Sequence, residues 1–243
     1  MKLAKPTLIL ATVLFIISCN SVPKKTNSTL SLKNAYTKDF YIGVAIDTNQ
    51  IKESNPMVSS LIAREFNSIT AENCMKSMFL HPEKDKFDFK MADQFVAFGE
   101  KNKMFIHGHT LIWHSQLAPW LTKIKDSVSM SEAMNNHITT IVKKYKGRIN
   151  SWDVVNEALN EDGTLRKTVF LDTYGKEYLT NAFKLAAKAD PKTDLYYNDY
   201  NLCNAKKRKG AVEMIKNLQK NGAKIDGVGE QGHWNLNSPT LEE

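Results

Sequence analysis

The chain has 243 residues, 42% hydrophobic and 24% charged, with a formal net charge of +7. That length and composition fit one large globular domain or two small ones and exclude general disorder. The positive balance is mostly Lys, with four Arg (Arg64, Arg148, Arg166 and Arg208), and several Lys sit near the N-terminus, so nucleic acid is not an expected partner.

In chain order, residues 1–19 read as an export signal: Lys2 and Lys5, then an apolar run from Leu8 to Ile17 that is too short for a comfortable membrane span. Ile16-Ile17-Ser18-Cys19 resembles the cleavage box of bacterial lipoproteins. That resemblance implies a lipid on Cys19 and an exported protein anchored to a bacterial membrane, periplasmic or at the cell surface. Residues 20–39 are polar and read as a flexible tether. Cys74 and Cys203 lie far apart in sequence and are expected as packed thiols.

From residue 40 onward, apolar strands alternate with amphipathic helices. Strands are predicted at 40–46, 67–70 and 104–113, in the stretch 151–160, and at 194–200 and 227–234. Helices are predicted between them, through 57–66 and around Ala92/Phe95/Val96/Gly99. A third is centred on Met134/Ile138/Ile141/Val142, with Ser129 or Ser131 as N-cap. A fourth carries Leu179/Ala182/Phe183/Ala186, and a fifth Ala211/Met214/Ile215/Leu218. The basic run 206–209 that opens the fifth helix is expected on a solvated face. Ser238-Pro239, followed by two acids, reads as the start of a sixth helix.

This alternation predicts an α/β fold with a parallel sheet, either doubly wound or closed as a (β/α)8 barrel. A doubly wound nucleotide binder needs a glycine-rich turn after its first strand, and "AIDTNQIKESN" has none. Polar residues instead gather at the C-terminal ends of strands two to six, as a barrel with its site on the top face requires. The predicted architecture is therefore a TIM-type (β/α)8 barrel, here reduced to about six strands, five helices and the start of a sixth. Residues 40–243 form this partial barrel.

"SWDVVNEALN", 151–160, is the most informative stretch. It begins as a buried strand, yet it ends in Asn156 and Glu157. Trp113, Trp152, Tyr200 and Trp234 lie near strand ends among amides and carboxylates, a mixture suited to the apolar faces and edge hydroxyls of sugars. His107 and His109 share one face of the third strand and leave a metal-dependent hydrolase as a second reading. No further histidine on the fifth strand completes a ligand shell, so no metal or cofactor is expected.

Taken together, "TAENCMK", "HGHTLIWHSQ", "WDVVNEA", "YYNDYN" and "DGVGEQGHW" resemble, in order, the strand-end motifs of glycoside hydrolase family 10, the endo-β-1,4-xylanases. The resemblance covers about residues 40–243. It implies retaining hydrolysis of internal bonds in xylan, with xylan or xylo-oligosaccharides as partner. Glu157 takes the role of general acid/base, and Asn156 that of the contact to the sugar 2-hydroxyl. Glu72, Asn73, Lys76, His109, Trp113, Gln116, Gln231 and His233 match positions that bind the non-reducing side or orient the nucleophile. Tyr200 matches an aromatic on the other side of the cut. Ser77 departs from the pattern, where the family usually has an aromatic.

A retaining mechanism needs a second carboxyl about 5–5.5 Å from the first. The family's nucleophile, a glutamate at the end of strand seven, has no counterpart among these motifs. The expectation is a fragment of a longer enzyme, inactive by itself. A non-catalytic sugar-binding lipoprotein is the alternative.

Overall fold

Most strands are apolar runs with polar residues at or just beyond their C-terminal ends, and each long helix turns one apolar stripe inward, so the chain builds strand upon strand with helices outside. The computed structural model describes residues 30–242. In chain order the elements are α1 (Leu32–Ala35), β1 (Gly43–Ile46), α2 (Thr48–Ile51), α3 (Pro56–Glu65), β2 (Ser68–Ala71), α4 (Ser77–Leu80) and α5 (Lys90–Lys101). They continue with β3 (Phe105–Trp113), a 3-10 turn at Leu121–Lys123, α6 (Ser127–Lys144), β4 (Ser151–Asn156) and α7 (Val169–Tyr174). The last are α8 (Glu177–Ala189), β5 (Asp194–Asp199), α9 (Ala205–Lys220) and β6 (Gly227–Glu230).

The sheet order is β1-β2-β3-β4-β5-β6, and every neighbouring pair is parallel. A doubly wound sheet reverses its order at a switch point, whereas this one advances in a single direction. That is the winding of a TIM-type barrel, carried here through six strands. The core lies between strands and helices, with Ile69, Ile106, Trp152, Val154 and Leu195 meeting Phe95, Val96, Ile138, Val142 and Phe183. Gly108 leaves room for this core, since a Cβ there would lie 2.2 Å from the Trp152 ring.

Several details differ from the sequence reading. The folded unit begins at Ser31 rather than at residue 40. Within the expected tether, Ser31 caps α1, and Lys33 Nζ donates to the Ala63 carbonyl on α3 at 2.5 Å. The N-cap of α6 is Asp126, whose carboxylate accepts from Ser129 N at 2.8 Å, so the helix starts two residues before Ser129. The sixth helix does not start at Ser238. Ser238 instead pairs with Asn235 through both backbone groups, while the Asn235 side chain accepts from Asn237 N at 2.8 Å. Leu236 and Leu241 are fully exposed, so no apolar contact favours a helix there.

The basic run at the start of α9 is not uniformly solvated. Lys207 is completely buried between acidic partners, because α9 packs that side of the helix towards the loops after β4 and β5. Cys74 is buried, which pushes its thiol up to about 12, and Cys203 is half-buried; both are free. Cys19 and the rest of residues 1–29 lie outside the described residues.

Candidate active site

The C-terminal ends of β2 to β6 open into one cleft of about 630 Å³. Its lining includes Glu72, Lys76, His109, Trp113, Asn156, Glu157, Gln231 and His233, eight of the residues expected from sequence. Gln231 and His233 reach it from the loop beyond β6, which ends at Glu230. The other three expected residues do not line it. Asn73 accepts from Lys76 Nζ at 3.0 Å, Gln116 uses its carbonyl to receive Met78 N at 3.2 Å, and Tyr200 lies beside Arg166 and Lys207.

Glu157 follows the last residue of β4 with a φ of 57°, a left-handed conformation that side-chain-bearing residues rarely adopt. Two bonds pin it: Glu157 N donates to Asn198 O at 2.8 Å, and Arg166 Nε donates to Glu157 O at 3.0 Å. The turn swings the carboxylate across the strand ends instead of leaving it in a solvated loop. Trp113 Nε1 donates to Oε2 at 3.0 Å, and Gln231 Nε2 and Asn156 Nδ2 donate to Oε1 at 3.1 and 3.3 Å. Asn156 Oδ1 in turn accepts from Asn198 Nδ2 at 2.8 Å and Gln231 Nε2 at 3.1 Å. Residues from β3, β4, β5 and the β6 loop therefore set the position of one carboxyl group.

The same cleft is lined by a buried carboxylate, Asp153, that the sequence reading did not place. Asp153 Oδ2 lies 2.8 Å from His109 Nδ1 and 3.1 Å from His107 Nε2. Burial alone would push this carboxyl up, but the charges and hydrogen bonds of His107 and His109 outweigh it and hold it at about 2. As an ionised acceptor, Asp153 fixes Nδ1 of His109 as a donor, so in the neutral ring Nε2 is the acceptor. His107 Nδ1 faces Ser151 Oγ at 2.6 Å. The histidine pair thus turns on a carboxylate. Among the described residues no group of three His, Cys, Asp or Glu is arranged to hold a metal ion.

Lys76 is buried, and desolvation lowers its ammonium from the usual value while Glu72 and Glu157 act in the opposite direction. Its Nζ lies 5.0 Å from the centre of the Trp113 ring. His114 Nε2 is 4.0 Å from Glu157 Oε2; burial and Arg166 both lower that imidazole, and its Nδ1 is buried without a partner. Ser77 is buried, with Oγ accepting from Ala118 N at 3.2 Å, so the small residue ties α4 to the loop after β3.

Three carboxylates line the cleft: Glu72, Asp153 and Glu157. Asp153 is held by its histidines. Glu72 follows β2 and Glu157 follows β4, two strand spacings apart, or about 10 Å at roughly 4.8 Å per strand.

One aimed carboxyl, paired amides and an indole on the top of a singly wound barrel are the construction of a barrel glycoside hydrolase. Comparison with known proteins agrees. Residues 31–243 match the Glycosyl hydrolase family 10 profile, and the chain belongs to that family. It is 41% identical over 218 residues to endo-1,4-beta-xylanase A of Xylanibacter ruminicola, which covers 88% of this chain and 59% of that protein. Endo-1,4-beta-xylanase B of Paenibacillus barcinonensis is 37% identical, over 88% of this chain and 65% of its own length. Among solved structures, a GH10 endoxylanase retrieved from a sugarcane soil metagenome superposes with a TM-score of 0.84 at 42% identity, covering 87% of this chain and 65% of that one. Xylanase 10B from Thermotoga petrophila RKU-1, in complex with xylobiose, gives a TM-score of 0.80 at 40% identity over 83% of this chain and 63% of that one. The chain thus spans about three fifths to two thirds of the length of these relatives.

Proposed function

We propose that the protein is an endo-1,4-β-xylanase that cleaves internal bonds of xylan with retention, and that Glu157 is its general acid/base. The observation that carries this reading is the setting of Glu157, aimed by a left-handed turn into a sugar-type cleft and held by Trp113, Gln231 and Asn156. Family membership and the named activities of the relatives support it, as does a relative solved with xylobiose.

In the first step Glu157 gives its proton to the leaving glycosidic oxygen while a second carboxylate attacks the anomeric carbon. In the second, the Glu157 carboxylate takes a proton from water, which attacks the same carbon and releases the nucleophile. Asn156 is proposed to contact the sugar 2-hydroxyl. Glu72, Asn73, Lys76, His109, Trp113, Gln116, Gln231 and His233 bind the xylose units on the non-reducing side or orient the nucleophile, and Tyr200 serves the other side. Calorimetric titration of the 243-residue chain with xylohexaose tests the site. Binding is expected, at least about tenfold weaker in Trp113→Ala because a stacking indole is lost. Equal affinity of the variant, or no binding by the unaltered chain, would contradict the assignment.

We further propose export and lipid attachment at Cys19, supported by the charged, apolar and Ile-Ile-Ser-Cys order of residues 1–19. Among the described residues no helix is long and apolar enough to cross a membrane. The protein is expected in the membrane fraction and its Cys19→Ala variant in the soluble fraction or as precursor. Equal membrane partitioning of both would reject lipidation. One acyl chain binds only marginally, so stable anchoring requires further acyl chains on the same residue.

A further inference from the structure

Lys207 carries a full charge into a completely buried position, and the cleavage chemistry gives it no part. Its Nζ lies 3.0 Å from Asp199 Oδ1 and 3.0 Å from Glu161 Oε1, and 3.6 Å from the centre of the Tyr200 ring. The three N–H groups of an ammonium are thereby matched by two carboxylates and one aromatic face. Asp199 is itself fully buried; it accepts from the Tyr197 hydroxyl and, through Oδ1, from Tyr200 N at 2.9 Å. The far end of Tyr200 is fixed as well, since its hydroxyl accepts from Arg166 Nη2 at 2.8 Å. The same guanidinium holds the Glu157 carbonyl.

A buried ion pair is a poor source of stability, because desolvating both charges offsets most of their attraction. The arrangement is better explained by what it orders. We propose that Lys207 is a positioning residue for sugar binding: it holds Tyr200 by backbone and ring so that the face opposite its ammonium is presented to a xylose unit beyond the scissile bond. Tyr200 is half-buried, so part of the residue stays open to a ligand. A pyranose stacks best on a ring that needs no ordering when the sugar arrives. Lys207 covers one face, Arg166 ties the hydroxyl, and Asp199 ties the backbone.

This inference rests on the xylan-site reading of Tyr200, and the test separates the two. The 15N-labelled 243-residue chain is titrated with xylotetraose, alongside Tyr200→Ala, Lys207→Met and the double variant. The expected result is that Lys207→Met weakens binding about tenfold, with no further loss when added to Tyr200→Ala. A purely structural role would add its effect in the double variant. Should Lys207→Met not fold, Lys207→Gln, which keeps donors towards the carboxylates without the charge, is titrated instead with the same expectation. Unchanged binding by the Lys207 variant beside a weakened Tyr200→Ala would overturn the positioning role alone, as would additive losses. Unchanged binding by Tyr200→Ala, or no binding by the unaltered chain, would remove the platform reading and this inference with it.

Discussion

Incubated with xylan, the 243-residue polypeptide is expected to release reducing sugar no faster than its Glu157→Gln variant. Glu157 has the position of a proton donor, but retention requires a second carboxyl about 5–5.5 Å away. Of the other carboxylates lining the cleft, Asp153 is held by His107 and His109, and Glu72 stands two strands over, about 10 Å by strand spacing. Neither is therefore expected to serve as the nucleophile opposite Glu157. A lone acid contributes a factor on the order of 10²–10⁴, whereas enzymes commonly reach roughly 10⁶–10¹⁷. Reducing-sugar assays on both proteins decide the matter. Release well above the Glu157→Gln control would mean that Glu72 or Asp153 reaches the anomeric carbon.

Replacing Asp153 by Ala should be strongly destabilising. It removes the shared acceptor of two histidines within the site, and breaking a buried charged pair costs about 3–5 kcal/mol. The pH dependence has a definite sign. The Asp153 carboxyl is held at about 2, below the ordinary aspartate value of 3.8. Its contribution is therefore fully present above about pH 4 and is lost as the pH falls through about 2. A shift of that size corresponds to about 2 kcal/mol. Urea unfolding at pH 7 should show the loss in Asp153→Ala, and Asp153→Asn should flatten the acid limb between about pH 4 and 2. Unchanged midpoints at pH 7 would refute the clamp.

Much of the fold was legible because its signals are local. The apolar runs ending in Asn156 and Asp199 and the helical spacing of Leu179, Ala182, Phe183 and Ala186 each specify an element without reference to distant residues. Most of the cleft was legible as well, since polar residues at strand ends converge once the strands run parallel. What escaped depends on register and on loops. Asp153 sits inside a buried strand, and nothing adjacent in sequence names its partners. Only the pairing of His107 with Ser151 and of His109 with Asp153 reveals that two histidines face it. Arg166 sits in the loop after β4, with no pattern to show that it would reach back to the Glu157 carbonyl. Lys207 was grouped with its exposed neighbours because a run of charges does not tell which member faces inward. Gln116 and Tyr200 carried the right motifs but make their described contacts outside the cleft wall.

The central claim, that Glu157 is the acid/base of a xylan-cleaving site, can be examined without the second carboxyl. An α-xylobiosyl fluoride presents the anomeric carbon in the configuration of the covalent intermediate, and its fluoride leaves without an acid. An acceptor hydroxyl can then attack directly, provided a base removes its proton; the C–F bond breaks, a β-1,4 C–O bond forms, and the proton passes to Glu157. Product analysis of the 243-residue chain incubated with this fluoride and xylobiose as the acceptor should find β-1,4-linked xylotetraose, falling about 10²-fold or more in Glu157→Ala. Equal yields from the two proteins, or no product above the enzyme-free background, would contradict the assignment.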